Sequence, residues 1–221
     1  MRGNGKENKK ACVFIVDDHP ILRQGLAQLI NHEDDLTICG EAKDVPTALE
    51  KIPHAKTDVA IVDLALEGRG GLELIKILHS QYPKLSILVL SMHDEAIYAE
   101  RALHAGARGY VMKQEVSDVV VHAIRRVLKG EIHVSDRMAD RLLKKMAIGG
   151  RSLTAGSMVE RLSDRELEIF TLIGKGLGTS QIAKKLVLSV KTVEAHREHI
   201  KSKLAIRSGM ELIRQAVNWS A

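Results

Sequence analysis

Five strand-like segments, at 12–16, 36–41, 59–62, 86–90 and 108–112, alternate with amphipathic segments over the first 130 residues, and 12–16, 59–62, 86–90 and 110–112 are short apolar runs. Runs this short and rich in Val and Ile read as strands buried on both faces, as in a parallel sheet. The intervening segments, at 21–30, 46–52, 72–80, 96–105 and 116–128, carry apolar residues at helical spacing. Ile21, Leu22, Leu26, Leu29 and Ile30 form one such stripe. Strict strand–helix alternation predicts a doubly wound α/β fold: a five-stranded parallel sheet, helices on both faces, right-handed crossovers.

The residues just past the runs are as informative as the runs themselves. Asp17, Asp63, Ser91 and Lys113 each sit at such a place, with Asp18 beside Asp17. In open α/β sheets the ligand crevice lies outside the carboxyl ends of the strands, so these side chains are expected to meet. Three clustered carboxylates repel one another unless a cation is shared among them, and Mg²⁺ suits oxygen ligands that also work with phosphate. A carboxylate can act as nucleophile and form an aspartyl phosphate. Lys113 would then supply charge, and Ser91 a donor, to the phosphoryl oxygens. Each residue alone is better explained as a turn, a cap or a solvated lysine. Four at four strand ends favour a cation and phosphoryl site.

The charge is split along the chain. Residues 11–130 hold 13 Lys and Arg against 17 Asp and Glu, whereas residues 161–221 hold 11 against 6. An acidic front and a basic back point to a cation-binding half and a polyanion-binding half, with fluctuating surface charge as the competing reading. Cys12 and Cys39 fall inside predicted strands, where buried, reduced thiols are expected, as in a reducing cytosol. No run of about 18 apolar residues is present. Residues 1–11 are expected to be a disordered tail and no secretory signal. These readings place the protein in the cytoplasm, with no membrane partner.

Residues 135–148 carry Met138, Leu142, Leu143 and Met146 at helical spacing, and 149–157 are small and flexible in composition. The stretch 131–154 thus reads as a linker helix plus flexible linker between a 12–130 domain and a 155–221 domain. The latter is all-helical in pattern. Ser163 with Glu166, and Ser208 with Glu211, have capping-box spacing. Helices at 179–186 and 189–204, joined by Val187 and Leu188, have the helix-turn-helix arrangement, centred on about 179–198.

The segments Val16-Asp17-Asp18-His19-Pro20, Val62-Asp63-Leu64-Ala65-Leu66-Glu67-Gly68 with Gly71, Leu90-Ser91-Met92-His93-Asp94 and Gly106-Ala107-Arg108-Gly109-Tyr110-Val111-Met112-Lys113 resemble the receiver domain of two-component response regulators, a flavodoxin-like fold. Position by position, the resemblance implies that Asp63 is the phosphoacceptor. It implies Mg²⁺ ligation by Asp18 and Asp63, with Asp17 in support and the Ala65 backbone carbonyl completing the set. Lys113 matches the phosphate-pairing lysine, Ser91 the switch hydroxyl and Tyr110 the aromatic that moves with it. A cognate sensor histidine kinase is the implied partner, and the only implied chemistry is self-phosphorylation with slow hydrolysis, so the protein is not expected to be a turnover enzyme. Two positions depart from the family pattern: Glu67 stands where proline is usual, and Met92 where many receivers have a smaller residue.

From Leu162-Ser163-Asp164-Arg165-Glu166 through Lys191-Thr192-Val193-Glu194-Ala195-His196 and 200–204, the chain is similar to the LuxR-type helix-turn-helix domain. Together the two halves resemble NarL/FixJ-type response regulators. The residues themselves agree. Ser189 can cap its helix, leaving N–H groups toward a phosphate; Val193, Ile200 and Leu204 share a core stripe with His196 partly buried beside them. The opposite face carries Lys191, Glu194, Ala195, Glu198 and Lys201, flanked by Thr192 and Arg197. Lys, Arg and Thr suit phosphate oxygens, Ala195 a thymine methyl, and Glu194 or Glu198 cytosine N4. A merely solvated helix is the competing reading. The family implies backbone anchoring by Lys191, Thr192 and Arg197, and a homodimer on promoter DNA formed through a final helix at 209–219. RNA polymerase is a candidate partner. Val187 occupies a turn position where glycine is frequent, so a locally different turn is expected. A Mg²⁺-dependent phosphatase is disfavoured because Ala65 stands where a second carboxylate is wanted. A phosphorylation-independent DNA-binding regulator is the alternative.

Overall fold

The computed structural model describes residues 10–66, 68, 70–147 and 159–220. The expected tail at 1–9, the flexible stretch at 149–157 and the Glu67 position lie outside the described residues. The chain divides into two compact units, one ending at Leu142 and the other beginning at Leu143.

In the first unit, β1 (Ala11–Val16), β2 (Leu36–Ala42), β3 (Val59–Val62), β4 (Ser86–Ser91) and β5 (Gly109–Met112) are all parallel, in the order β2-β1-β3-β4-β5. The helices are α1 (Pro20–Asn31), α2 (Val45–Lys51), α3 (Gly71–Gln81), α4 (Glu95–Ala105) and α5 (Val116–Leu128). Side chains alternate across the sheet. Val13, Ile15, Val59, Ile61, Leu88, Leu90 and Val111 form one core with Leu26 and Ile30 of α1 and Ala123, Ile124 and Val127 of α5. The other face buries Phe14, Val16, Ala60, Val62, Ile87 and Val89, and α2, α3 and α4 bury Ala48, Leu74, Leu78 and Ala102. Burial on both faces is why β1, β3 and β4 read as near-continuous apolar runs.

Several boundaries shift from expectation. Ala11, placed in the tail, opens β1, and Ser91 is the last residue of β4. The cysteines are a correction: Cys12 and Cys39 are only half-buried. Cys39 lies in the edge strand β2, whose middle residues are incompletely covered, and Cys12 is the second residue of its neighbour β1, ahead of the buried Val13–Val16. Gly71 has a specific role. A Cβ there would come within 2.0 Å of the Asp63 carbonyl oxygen, so only glycine lets α3 start against the backbone that follows β3.

The helix α6 (Asp136–Ala147) spans the division between units. In the second unit follow α7 (Asp164–Gly174), α8 (Thr179–Lys185), α9 (Val190–Lys203) and α10 (Gly209–Ser220). Leu167, Phe170, Ile182, Val193, Ile200, Leu212 and Ala216 form the buried interior. The first capping box forms completely, Ser163 and Glu166 satisfying each other's backbone N–H. The second forms by half: the Glu211 N–H donates to Ser208 Oγ, but the Glu211 carboxylate accepts from Arg207 N, one residue earlier than a capping box requires. Val187 is another correction. It adopts the left-handed conformation, φ 52°, because the end of α8 is closed by two bonds that demand it, Leu188 N–H to Ala183 O (2.9 Å) and Val187 N–H to Lys184 O (3.3 Å).

Candidate functional site

The sheet order reverses between β1 and β3, and there the two aspartate-bearing strand ends lie side by side, Val16 paired with Val62. The Asp63 N–H donates to Val16 O (2.9 Å), and that of Asp17 to Ala42 O (3.1 Å). Both carboxylates are buried, at 1% and 2% exposure. Lys113, directly after β5, reaches across so that its Nζ lies 2.7 Å from Asp63 Oδ2 and 2.7 Å from Asp17 Oδ2. Desolvation lifts the Asp63 carboxyl above the ordinary aspartate range, with the Lys113 charge opposing part of that rise. Burial pulls the Lys113 ammonium down, but Asp63 and Asp17 outweigh it and hold the group charged.

Asp18, Asp63 and Asp17 gather as expected, together with His19, which sequence reasoning did not single out: one ligand atom from each lies within 4.8 Å of the others. Its signal was its place directly after two aspartates. The His19 Nδ1 lies 2.6 Å from Asp18 Oδ1, and the backbone N–H of His19 donates to Asp17 Oδ1 (2.8 Å). Asp17 Oδ2 and Asp18 Oδ1 are buried and lack an aligned hydrogen bond despite their charged neighbours. Lone pairs therefore remain, and the acidic pocket can take a metal ion. The Ala65 N–H donates to Asp63 Oδ1 (3.1 Å), fixing the loop from which the Ala65 carbonyl would be drawn. Arg23, a second residue missed, donates to the Asp17 carbonyl oxygen (2.7 Å) and to Glu41 (3.1 Å); nothing in its spacing signals this.

Ser91 and Tyr110 converge on one residue, His93, from its two flanking peptide units. The His93 N–H donates to Ser91 Oγ (3.2 Å), and the Tyr110 hydroxyl donates to the His93 carbonyl (2.8 Å). Burial raises the Tyr110 phenol far above its usual range, so it is a permanent donor. Met92 is exposed beside them.

On α9 the structure displays the expected face. Lys191, Glu194, Ala195 and Glu198 are exposed, Thr192, Arg197 and Lys201 half-exposed, and Val193, Ile200 and Leu204 buried, with His196 between these extremes. Ser189 caps the helix through Thr192 N (3.0 Å) and also meets the Thr192 hydroxyl at 2.7 Å. Glu198 and Lys201 pair at 2.8 Å, which neutralises part of each. The helix is anchored from behind: Glu166, buried on α7, accepts from Lys203 Nζ (2.6 Å) and Ser163 N (2.7 Å). Burial would push its carboxyl up, but those donors bring it below the usual value. Arg165 donates to the Leu186 carbonyl (2.8 Å) at the end of α8 and so pins the turn.

A parallel sheet with an acidic, lysine-bridged crevice, followed by a helix-turn-helix unit, defines a phosphoryl-type receiver carrying a nucleic-acid-binding domain. Two family models match: the response regulator receiver domain over residues 13–125 and the luxR family of bacterial regulatory proteins over 160–216. The chain belongs to the two-component response regulators that join a receiver to a LuxR-type DNA-binding domain, a family of regulators and not of classical turnover enzymes. It is 36% identical over 208 residues to the oxygen regulatory protein NreC of Staphylococcus aureus, covering 93% of this chain and 96% of that one. Among solved structures it is similar to RcsB from Salmonella typhimurium, with TM-score 0.70 and 27% identity, covering 95% of this chain and 98% of that one. It also matches RcsB from Salmonella enterica serovar Typhimurium bound to promoter rprA with the phosphomimetic BeF3⁻, with TM-score 0.65, 27% identity and coverage of 95% and 99%.

Proposed function

We propose that Asp63 accepts a phosphoryl group from a cognate sensor histidine kinase and that this sets how α9 occupies promoter DNA. The observation that carries the reading is the Lys113 ammonium held 2.7 Å from both Asp63 and Asp17 at the switch point of the sheet. Asp18, Asp63 and the Ala65 carbonyl, with Asp17 in support, are the residues to hold Mg²⁺. That ion would neutralise charge on the transferred group. The Asp63 carboxylate attacks phosphorus and forms a new O–P bond. The bond from phosphorus to the donor's imidazole nitrogen breaks, and its electron pair stays on that nitrogen. Lys113 and the Ser91 hydroxyl then bind the phosphoryl oxygens. Turning Ser91 inward removes the acceptor of the His93 N–H, and Tyr110 follows, so one of two pre-existing states is favoured.

On DNA, Lys191, Thr192, Arg197 and Lys201 serve phosphates, Ala195 a thymine methyl, and Glu194 and Glu198 base edges. The protein acts as a homodimer reading two half-sites, in support of which a similar structure shows RcsB dimers on DNA. RNA polymerase is the downstream partner, and the setting is the cytoplasm. Asp63→Asn is expected to abolish Mg²⁺-dependent labelling by a small phosphodonor, read by intact mass; retained labelling would overturn the assignment. Promoter affinity unchanged by beryllofluoride in the wild type would instead favour phosphorylation-independent binding. Glu198→Ala is expected to relax sequence preference more than affinity in a binding-site selection; an unaltered preference removes its role.

A further inference from the structure

The segment after α5 is bonded to the receiver at two places. The His133 N–H donates to Arg108 O (2.9 Å) and its carbonyl accepts from Tyr110 N (2.8 Å), so the segment pairs with β5 at the sheet edge. Two residues on, Ser135 is held by Glu95: its N–H donates to Glu95 Oε1 (2.8 Å) and its hydroxyl to Glu95 Oε2. The same hydroxyl oxygen accepts from Met138 N (3.1 Å), which starts α6. One turn further, Arg141 Nη1 donates to the Ala96 carbonyl (2.7 Å), and Met138 is buried. The beginning of α4 is therefore the mooring of α6.

Glu95 stands two residues after His93, whose N–H is bonded to Ser91 and whose carbonyl is bonded to Tyr110. The Asp94 carboxylate accepts from Ala96 N (2.8 Å), so 94–96 is a bonded turn directly after His93. A change at His93 cannot be absorbed before it reaches Glu95. We propose that Glu95 is a latch: it holds the start of α6 while Ser91 and Tyr110 grip His93, and lets it go when Ser91 turns toward a phosphoryl group on Asp63. The inference rests on the acceptor reading of Asp63. The device needs no bistable core, only a carboxylate whose position follows the backbone at His93, and a helix whose first turn depends on that carboxylate. Because α6 runs on past Leu142, its release alters the tether of the DNA-binding unit.

Amide hydrogen exchange on the full chain tests this, with Mg²⁺ and beryllofluoride as the probe. In the wild type, beryllofluoride is expected to speed exchange over 135–142 by roughly tenfold, the scale of losing one charge-assisted bond. Glu95→Ala and Arg141→Ala should show that faster exchange without the probe, and Glu95→Ala should gain nothing further from it. Unchanged exchange across β5 in both variants verifies that the receiver is folded. Wild-type-like protection of 135–142 in both variants overturns the latch. So does beryllofluoride that alters 91–96 while leaving 135–142 protected. Beryllofluoride that leaves 91–96 itself unaltered overturns the acceptor reading, and the latch with it.

Discussion

At the scale of single residues, the buried carboxylate of Asp63 works against the stability of its own fold. Its folded value lies above the ordinary 3.8, with desolvation as the leading cause. A raised folded value means that the protonated form favours the native state. That contribution is complete below the unfolded value and is lost as pH rises through the folded one, so at neutral pH ionised Asp63 costs stability. Asp63→Asn should therefore raise stability at pH 7, without divalent cations. Urea unfolding should show the gain shrinking as pH falls toward the aspartate range; a variant no more stable than wild type at pH 7 would refute it. Lys113 keeps a partner in the variant, since Asp17 lies at the same 2.7 Å. In the second unit the sign is reversed. Glu166 is held below its usual value once Lys203 and the cap bonds outweigh burial. Lys203→Met would leave that carboxylate with the Ser163 N–H but without its charged partner, at a cost of about 2 kcal/mol, measurable by thermal unfolding.

At the scale of elements, the ends of helices decide more than their middles. The helices α4, α7 and α8, with α9, all close with the same pair of reverse bonds, in which a residue at or just after the cap turns left-handed. Gly106 and Gly176 fill that place in α4 and α7, but Val187 fills it in α8 and Ala205 in α9. Valine is strained there by about 1–2 kcal/mol, and Val187 is 73% exposed, so its side chain recovers little by burial. Val187→Gly is expected to stabilise the second unit by about 1 kcal/mol after the extra freedom of glycine in the unfolded chain; a loss on chemical denaturation would refute this. The same ends mark how far sequence reading reaches. Strands buried on both faces announce themselves, and so do Asp17, Asp63, Ser91 and Lys113 at their ends, because burial and strand polarity are encoded locally. The partners of His93, the Arg23 bond to Asp17 and the grip of Glu95 on Ser135 join residues 6 to 40 apart. Such pairings depend on how elements pack, which no local pattern carries. Val187 shows the limit from the other side: local preference opposed a conformation that two tertiary-supported bonds enforce.

At the scale of the whole molecule, charge is collected where the sheet closes. Docking β3 on β1 joins Asp17 to Asp63, and carboxylate repulsion appears at that step. Without divalent cations, refolding of the wild type should quicken by a factor of about 2–3 when salt is raised from about 0.05 to 0.5 M. Stopped-flow circular dichroism would show it, with Asp63→Asn much less sensitive; equal sensitivity would place the repulsion elsewhere. The strand order has a consequence for the protein while it is being made. β1 leaves the ribosome first yet ends in the interior of the sheet, with β2 on one side and β3 on the other. Until β3 emerges, its strongly apolar run from Val13 to Val16 keeps one edge bare, the geometry that invites intermolecular pairing. The seam that later houses the acidic crevice is thus an unpaired apolar edge of the nascent chain until β3 arrives.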